Sequence, residues 1–540
     1  MKKTLVLLCV CWWSLAPAKT KVDIAQRIPL IPVPQEVIDH GGRFPFPARI
    51  AIKGLPLQSA KQWQQAKILL DRLATLPGVE TVLEGTAAFS IVFSDDPTVT
   101  HSEGYTLQVT STGIEVGAAT ERGRFYAMQT LFQILAFGYY GADFLYGWEE
   151  PDPADAAVKR FLPGWTIRDF PRYPVRSLML DLGRAVFNPT YIQRILRIMA
   201  QLKMNTLHLH LYDDEIGGYR FDTLPLGAEN PLALTKTDLK NLVAYAQDYH
   251  ISIIPEIESW GHVKSVIYHY PELYGGPGIY GGASFAISEK MFALLEKMYG
   301  EIADCLPDTA SIHVGLDEAQ WSVATGEEEK GYTPEKLVAI IYDLVQKVAR
   351  ERGKHLTMHL WADHKGRPVP KGLGPHLVLQ PWAYRQSNQE RISQAMKKYG
   401  GPGKRPVMMG AGITSACHSG DFSATRLWCQ AGDPHPNVLG ATICLWGTNN
   451  LADRLITLYA GANYLWSPHT RQPEEEDPYS EDLRFRFERD MQKWQIVFPD
   501  ANKEALNRDR GAEVFLGRYL QPPLSGKAVA PTMDYQPAVH

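Results

Sequence analysis

Two adjacent carboxylates, Asp317 and Glu318, close the segment Ser311-Ile312-His313-Val314-Gly315-Leu316-Asp317-Glu318. An apolar run that ends on paired acids suits glycoside cleavage, where a carboxyl group must protonate a leaving oxygen from a rigid support. Such pairs also begin solvated loops and helices, so the argument rests on what accompanies this one. Other strand-like runs end on Asp181 and Arg184, on Tyr212, Asp213 and Asp214, on Glu256, Glu258 and His262, on Trp361 and Asp363, on Trp382 and Tyr384, and on Trp446. Gathered at one rim, these groups would form an acidic pocket with one arginine and tryptophan walls. Carboxylates suit proton transfer, a guanidinium fork suits a diol, and aromatic faces suit sugar rings.

The elements that would gather them repeat along the chain. Eight strand-like runs, at 177–182, 206–212, 251–258, 311–317, 356–361, 377–382, 407–412 and 441–446, alternate with helical stretches or long loops. The clearest helices are 191–203, 239–249, 290–305 and 334–352. Strand–helix alternation implies a parallel sheet with helical crossovers, and eight repeats over this length imply a (β/α)₈ barrel spanning 170–500. A barrel brings the ends of all its strands to one mouth. Before it, residues 19–150 mix short alternating strands, a hairpin at 105–117 and an amphipathic helix at 121–137 with Phe125, Met128, Leu131, Ile134 and Leu135 on one face. This is a small α+β domain, joined to the barrel by a Pro-rich, acidic linker at 151–169. A helix and a Pro-rich tail follow at 501–540.

Composition narrows the classes. A net charge of −4 over 540 residues argues against nucleic acid or an anionic surface as partner. Lys2 and Lys3, an apolar core to Leu15 and the small-residue site Ala16-Pro17-Ala18 mark residues 1–18 as a secretory signal peptide, so the product is expected to be periplasmic or secreted. No later stretch is long and apolar enough to span a bilayer. The cysteines beyond the signal, Cys305, Cys417, Cys429 and Cys444, form neither a disulfide framework nor a zinc spacing, although a Cys417–Cys429 bridge stays open. No phosphate loop, organic cofactor motif or nucleophile elbow is present, so no cofactor is expected.

Four motifs, in order, resemble family 20 glycoside hydrolases, the β-N-acetylhexosaminidases. They are Met179-Leu180-Asp181-Leu182-Gly183-Arg184, His208-Leu209-His210-Leu211-Tyr212-Asp213-Asp214, Ile254-Pro255-Glu256-Ile257-Glu258-Ser259-Trp260-Gly261-His262 and His313-Val314-Gly315-Leu316-Asp317-Glu318. The stretches Leu30-Ile31-Pro32-Val33-Pro34 and Gly123-Arg124-Phe125-Tyr126-Ala127-Met128-Gln129-Thr130-Leu131 resemble the family's accessory domain. The resemblance implies removal of terminal GlcNAc or GalNAc by a retaining mechanism in which the substrate's acetamido oxygen attacks the anomeric carbon, an exception to the two-carboxylate scheme. It implies Glu318 as general acid, with a pKa raised by burial or by its neighbour Asp317, and Asp317 as the group that orients the acetamido N–H. It further implies His262 as a positioning histidine coupled to Glu318 and to Asp213, in preference to Asp214. Arg184 would grip ring hydroxyls, with a structural ion pair to Asp213 or Asp214 as the alternative. Trp361, Trp382 and Trp446 would wall the acetamido pocket.

The chain also departs from the family pattern. Leu316 replaces a second glycine, and Trp260 replaces a proline. No tyrosine follows the seventh strand in 408–418 to bind the acetamido oxygen, for which Tyr384 is the candidate substitute. Thr448 stands where a hydroxyl-binding glutamate is usual. The expectation is retained chemistry with altered specificity at the nonreducing sugar. Two other classes compete. One is a glycan-binding barrel without turnover. The other is a metal-dependent hydrolase using His208, His210 and His313, although those histidines lie before the strand ends and suit interior packing better.

Overall fold

Alternating burial along short strands builds the first layer. β1 (Glu36–Pro45), β2 (Arg49–Lys53), β3 (Glu80–Leu83), β4 (Phe89–Asp95), β5 (Tyr105–Val109), β6 (Gly113–Ala118) and β7 (Phe161–Asp169) form one mixed sheet in the order β1-β7-β5-β6-β4-β2-β3. In β4, Phe89, Ile91 and Phe93 are buried while Val92 and Ser94 are exposed, the period of two that a half-buried strand requires. The computed structural model describes residues 30–140, 160–185, 187–278, 281–319, 331–362, 369–413, 423–447, 451–468, 499–501 and 504–506. The signal segment, most of the C-terminal tail, Asp363, Cys417 and Thr448 lie outside these residues. Cys305, Cys429 and Cys444 are buried free thiols.

Two expectations about this domain need correction. The helix α2 (Glu121–Tyr140), which follows α1 (Ala60–Leu73), is not amphipathic in its setting: nearly every side chain from Phe125 to Tyr139 is buried. One side packs on the sheet, and the other meets the barrel, with Phe125 edge-on to Tyr249 at 6.4 Å and Tyr126 edge-on to Trp466 at 5.4 Å. A helix covered on both sides needs apolar residues all round. The second correction concerns the linker expected at 151–169. Phe161–Asp169 is β7, paired antiparallel to both β1 and β5, one strand in from the edge of the sheet. Leu162, Trp165 and Ile167 supply its buried side chains.

The barrel strands are β8 (Val175–Asp181), β9 (Thr206–His210), β10 (Ser252–Glu256), β13 (Thr309–His313), β14 (His355–Trp361), β15 (Leu377–Gln380), β16 (Val407–Ile413) and β17 (Val438–Leu445), with β11 (Tyr274–Pro277) and β12 (Ala283–Phe285) forming a hairpin after β10. They pair in parallel and in sequence order, and β17 closes on β8. This is the expected (β/α)₈ barrel. Its strands are buried on both faces, which is why they read as near-continuous apolar runs. Helices follow from local signals: Asn188 Oδ1 accepts from the Tyr191 amide at 2.8 Å and Pro189 occupies the first turn, starting the helix Pro189–Gln201. Among the described residues no helix is long and apolar enough to cross a membrane.

Buried charges join the two domains. Lys203 Nζ, after the first barrel helix, donates to Asp169 Oδ2 of β7 and to the Tyr105 hydroxyl, each at 2.8 Å. Arg176 of β8 donates to Glu103 at 2.9 Å. Such groups are costly to desolvate and tolerable only when fully paired, so they fix one orientation of the sheet against the barrel.

Candidate active site

Strand register creates the floor of the site. It aligns Asp181 with His210, His210 with Glu256, Glu256 with His313, and His313 with His359. Glu256 is the hub: its oxygens lie 2.6 Å from His210 Nδ1, 2.9 Å from His313 Nδ1 and 3.0 Å from His208 Nε2, and it accepts from Trp361 Nε1 at 2.6 Å. Burial alone would push Glu256 toward neutrality, but His313, His210 and His208 hold its pKa well below the carboxylate range. Burial holds His208 down to about 4, against the pull of Glu256. His208, Glu256 and His313 could offer a cation three ligand atoms within 4.8 Å of one another. The Glu256 carboxylate already serves His210 and Trp361, however, so the geometry favours interior packing for this cluster.

The catalytic candidates sit just past the strand ends. β13 stops at His313, and the chain then enters left-handed backbone: φ is 65° at Gly315, 75° at Leu316 and 45° at Glu318. Left-handed turns, and not the pleat of an extended strand, therefore set the directions of Asp317 and Glu318. Glycine is required at 315, where a Cβ would lie 2.0 Å from Glu258 Oε2. Leu316 has no such freedom and costs about 1–3 kcal/mol in this region, offset by its complete burial. His262 is also left-handed, at φ 54°. Strained non-glycine backbone thus collects around one point.

His262 connects the acids. Its Nε2 is 3.4 Å from Glu318 Oε2, and its Nδ1 faces Asp214 Oδ2 at 3.2 Å and Asp213 Oδ1 at 3.3 Å. Both members of the dipeptide therefore meet the imidazole, where sequence reasoning preferred Asp213 alone. Asp214 is held by the backbone amides of Lys264 and Ala283 at 3.1 and 3.0 Å. Asp213 receives His210 Nε2 at 2.8 Å and Arg184 Nη2 at 2.6 Å. Burial would lower the pKa of His262, but Asp213, Asp214 and Glu318 raise it well above the usual imidazole value. Glu318 moves the opposite way from expectation. Burial raises its pKa, but the His262 hydrogen bond and charge, with Arg184, bring it below the ordinary glutamate value. Asp317 is raised by burial and by Glu318 and Glu256, against His262.

Arg184 follows β8 in a turn made by Asp181, which accepts from the amides of Gly183 and Arg184 at 3.1 Å each. Its guanidinium is paired with Asp181, Asp213 and Glu215 at 3.0, 2.6 and 3.4 Å. The ion pair with Asp213, the structural alternative, is therefore present, while the side chain keeps 22% exposure. Asp181 Oδ2 also accepts from the Gly447 amide at 2.8 Å, tying Trp446 to the same turn.

The aromatic residues come together. Trp361 is fully buried, with its ring centroid 5.7 Å from that of Trp446, so it is floor more than wall. Trp382 stacks on Tyr384 at 5.3 Å, and both pack with Trp446 against Met179, Trp361 and Cys444. Arg184 lies over the Trp446 ring at 5.4 Å. The Tyr384 hydroxyl titrates well above its usual range, from burial first and then from Cys444, Asp317 and Glu318.

Sequence reasoning puts Glu258 at the rim without a role and leaves Glu215 out of the site. Glu258 is fully buried beneath Asp317, and its pKa is raised well above normal by burial, Asp317 and Glu256. A protonated Glu258 can donate to Asp317 and keep it ionised. The signal was visible as two acids, Glu256 and Glu258, two apart at a strand end, but only the fold shows that one meets histidines and the other an aspartate.

A parallel eight-stranded barrel, carrying a strained Asp–Glu pair and a histidine-bridged acid network at its mouth, defines a (β/α)₈ protein with a carboxylate-based site. Residues 173–400 match the catalytic-domain model of glycosyl hydrolase family 20, residues 27–169 match domain 2 of the same family, and the chain belongs to that family. A β-hexosaminidase of Porphyromonas gingivalis is 25% identical over 425 residues, covering 71% of this chain and 52% of the relative. The chain thus spans about half the length of that relative. β-Hexosaminidase A of Caenorhabditis elegans is 23% identical, covering 71% of this chain and 74% of the relative. Among solved structures, a chitobiase of Flavobacterium johnsoniae superposes with TM-score 0.65 at 21% identity, over 88% of this chain and 74% of that one. An exo-β-N-acetylglucosaminidase of Vibrio harveyi, solved with N-acetylglucosamine, gives 0.63 at 21% identity, over 89% and 78%.

Proposed function

We propose that this chain is an exo-acting β-N-acetylhexosaminidase that releases terminal nonreducing GlcNAc or GalNAc through a retaining, acetamido-assisted mechanism. The observation that carries the reading is the joint geometry of Asp317, Glu318 and His262, each offering an atom within 4.8 Å of the others. This clustering differs from inverting pairs, whose carboxyls stand about 6.5–9.5 Å apart. Glu318 protonates the leaving oxygen and later deprotonates water. Asp317 accepts the acetamido N–H and faces the positive charge that develops on the ring. The substrate's acyl oxygen forms the bond to the anomeric carbon as the glycosidic bond breaks, so no protein nucleophile is needed. Tyr384 and the tryptophans exclude water around the acetamido group. The β-hexosaminidase relatives support the activity. The residues at 1–18 support export to the periplasm or the medium.

The test compares aryl β-glycosides of GlcNAc and GalNAc with those of glucose and galactose. Release from the acetamido sugars alone, inhibited by a thiazoline mimic of the cyclic intermediate, is expected. Equal release from glucosides would overturn acetamido participation.

In this mechanism His262 and Glu318 share one proton. As pH rises, the pair loses it only through the raised His262 value, so acid catalysis persists above neutrality. In His262→Gln, Glu318 must hold the proton alone and releases it at the pKa of a carboxylic acid. The alkaline limb of kcat should move down by roughly one to three pH units. A limb that stays in place would remove His262 from the relay.

A further inference from the structure

Arg184 has three carboxylate partners, and they differ in one respect. Asp181 and Asp213 are completely buried, whereas the Glu215 side chain is 35% exposed. The first two are fixtures of the β8 and β9 turns. Asp181 is consumed by the amides of Gly183, Arg184 and Gly447, and Asp213 by His210 and Arg184. Glu215 alone of the three is partly exposed, although its Oε2 is buried against Arg184 Nε at 3.4 Å. The same guanidinium lies over Trp446. Trp446 and Glu215 therefore flank the same guanidinium. By the family resemblance, Thr448 takes the place in the sequence of a hydroxyl-binding glutamate.

We propose that Glu215 is a specificity-determining residue that hydrogen-bonds a ring hydroxyl of the terminal N-acetylhexosamine beside Arg184, supplying the carboxyl group that Thr448 lacks. This rests on the reading of the site as one for N-acetylhexosamine. Three acids around one arginine leave an excess of negative charge. Burial, together with Asp213, Asp214 and Asp181 and against Arg184, raises Glu215 to about 8. Near neutrality it is a carboxylic acid, able to donate to a hydroxyl as well as accept from one. A second carboxyl oxygen beside an arginine fork gives a diol three or more fixed contacts, so the epimeric position next to the gripped hydroxyl is read directly.

The experiment is calorimetric binding of N-acetylglucosamine, N-acetylgalactosamine and the 3-, 4- and 6-deoxy forms of N-acetylglucosamine to wild type, Glu215→Gln and Glu215→Ala. Glu215→Ala should bind the parent sugars roughly tenfold more weakly. For one deoxy sugar the wild type should already show that loss, and the substitution should add nothing. Glu215→Gln, which keeps size and one donor, should lose less than Glu215→Ala and guards against misfolding. Equal losses on the parent and on all deoxy sugars would overturn the proposal, since Glu215 would then act only by holding Arg184. Unchanged affinity for every sugar would also overturn it. Failure of wild type to bind any N-acetylhexosamine would overturn the site reading itself, a result distinct from either.

Discussion

Glu318→Gln should lower kcat on N-acetylhexosaminides with alkoxide leaving groups by about 10²–10⁴-fold, the range general acid catalysis contributes. The loss should shrink as the leaving group becomes more acidic. A dinitrophenolate departs without a proton, so under the proposed mechanism the first step for that substrate needs no acid and only the attack of water on the cyclic intermediate is slowed. KM should then fall with kcat as the intermediate accumulates. Glutamine keeps the shape of the side chain and a partner for His262, so the backbone at φ 45° should survive the change. A loss of the same size for every leaving group would mean that the substitution disturbs binding or folding. Unchanged rates on alkyl glycosides would remove Glu318 as the acid.

The scaffold of this site was readable because a parallel barrel writes itself plainly. Strands buried on both faces become runs such as Leu207-His208-Leu209-His210-Leu211, and their ends carry the polar residues. What stayed hidden depends on distant partners. The β7 strand, taken for linker, is a strand only because β1 and β5 flank it. The α2 helix, amphipathic by its sequence, is covered by the barrel on its second side. Glu258 becomes part of the site only where Gly315 lets its carboxyl approach Asp317. The direction of the Glu318 shift could not be read from its neighbour Asp317, because the deciding group is His262, 56 residues upstream in sequence and 3.4 Å away in space. Local pattern gives residue types at strand ends, and charge balance among them is a property of the assembled mouth.

That balance makes Asp317→Asn the second decisive variant. In the proposed mechanism Asp317 must be anionic to accept the acetamido N–H and to face the cation that forms beside it. Its burial works against ionisation, and Glu318 and Glu256 add to the penalty, so its pKa is raised. His262, with its positive charge, and a protonated Glu258 as donor oppose that rise. Activity should therefore fall as pH drops through the raised Asp317 value, giving an acid limb to pair with the alkaline limb of His262 and Glu318. Asparagine cannot ionise, and its amide can turn a donor toward the acetamido N–H. Asp317→Asn should lose about 10²–10³-fold in kcat, comparable with removing a preorganised group that stabilises transition-state charge. It should lose the acid limb as well. A thiazoline inhibitor, which carries the charge of the cyclic intermediate when protonated, should weaken by a similar factor, while affinity for N-acetylglucosamine, which lacks that charge, should change far less. A wild-type acid limb in Asp317→Asn would assign that ionisation to another carboxyl. Parallel losses for thiazoline and product would reduce Asp317 to a ground-state contact.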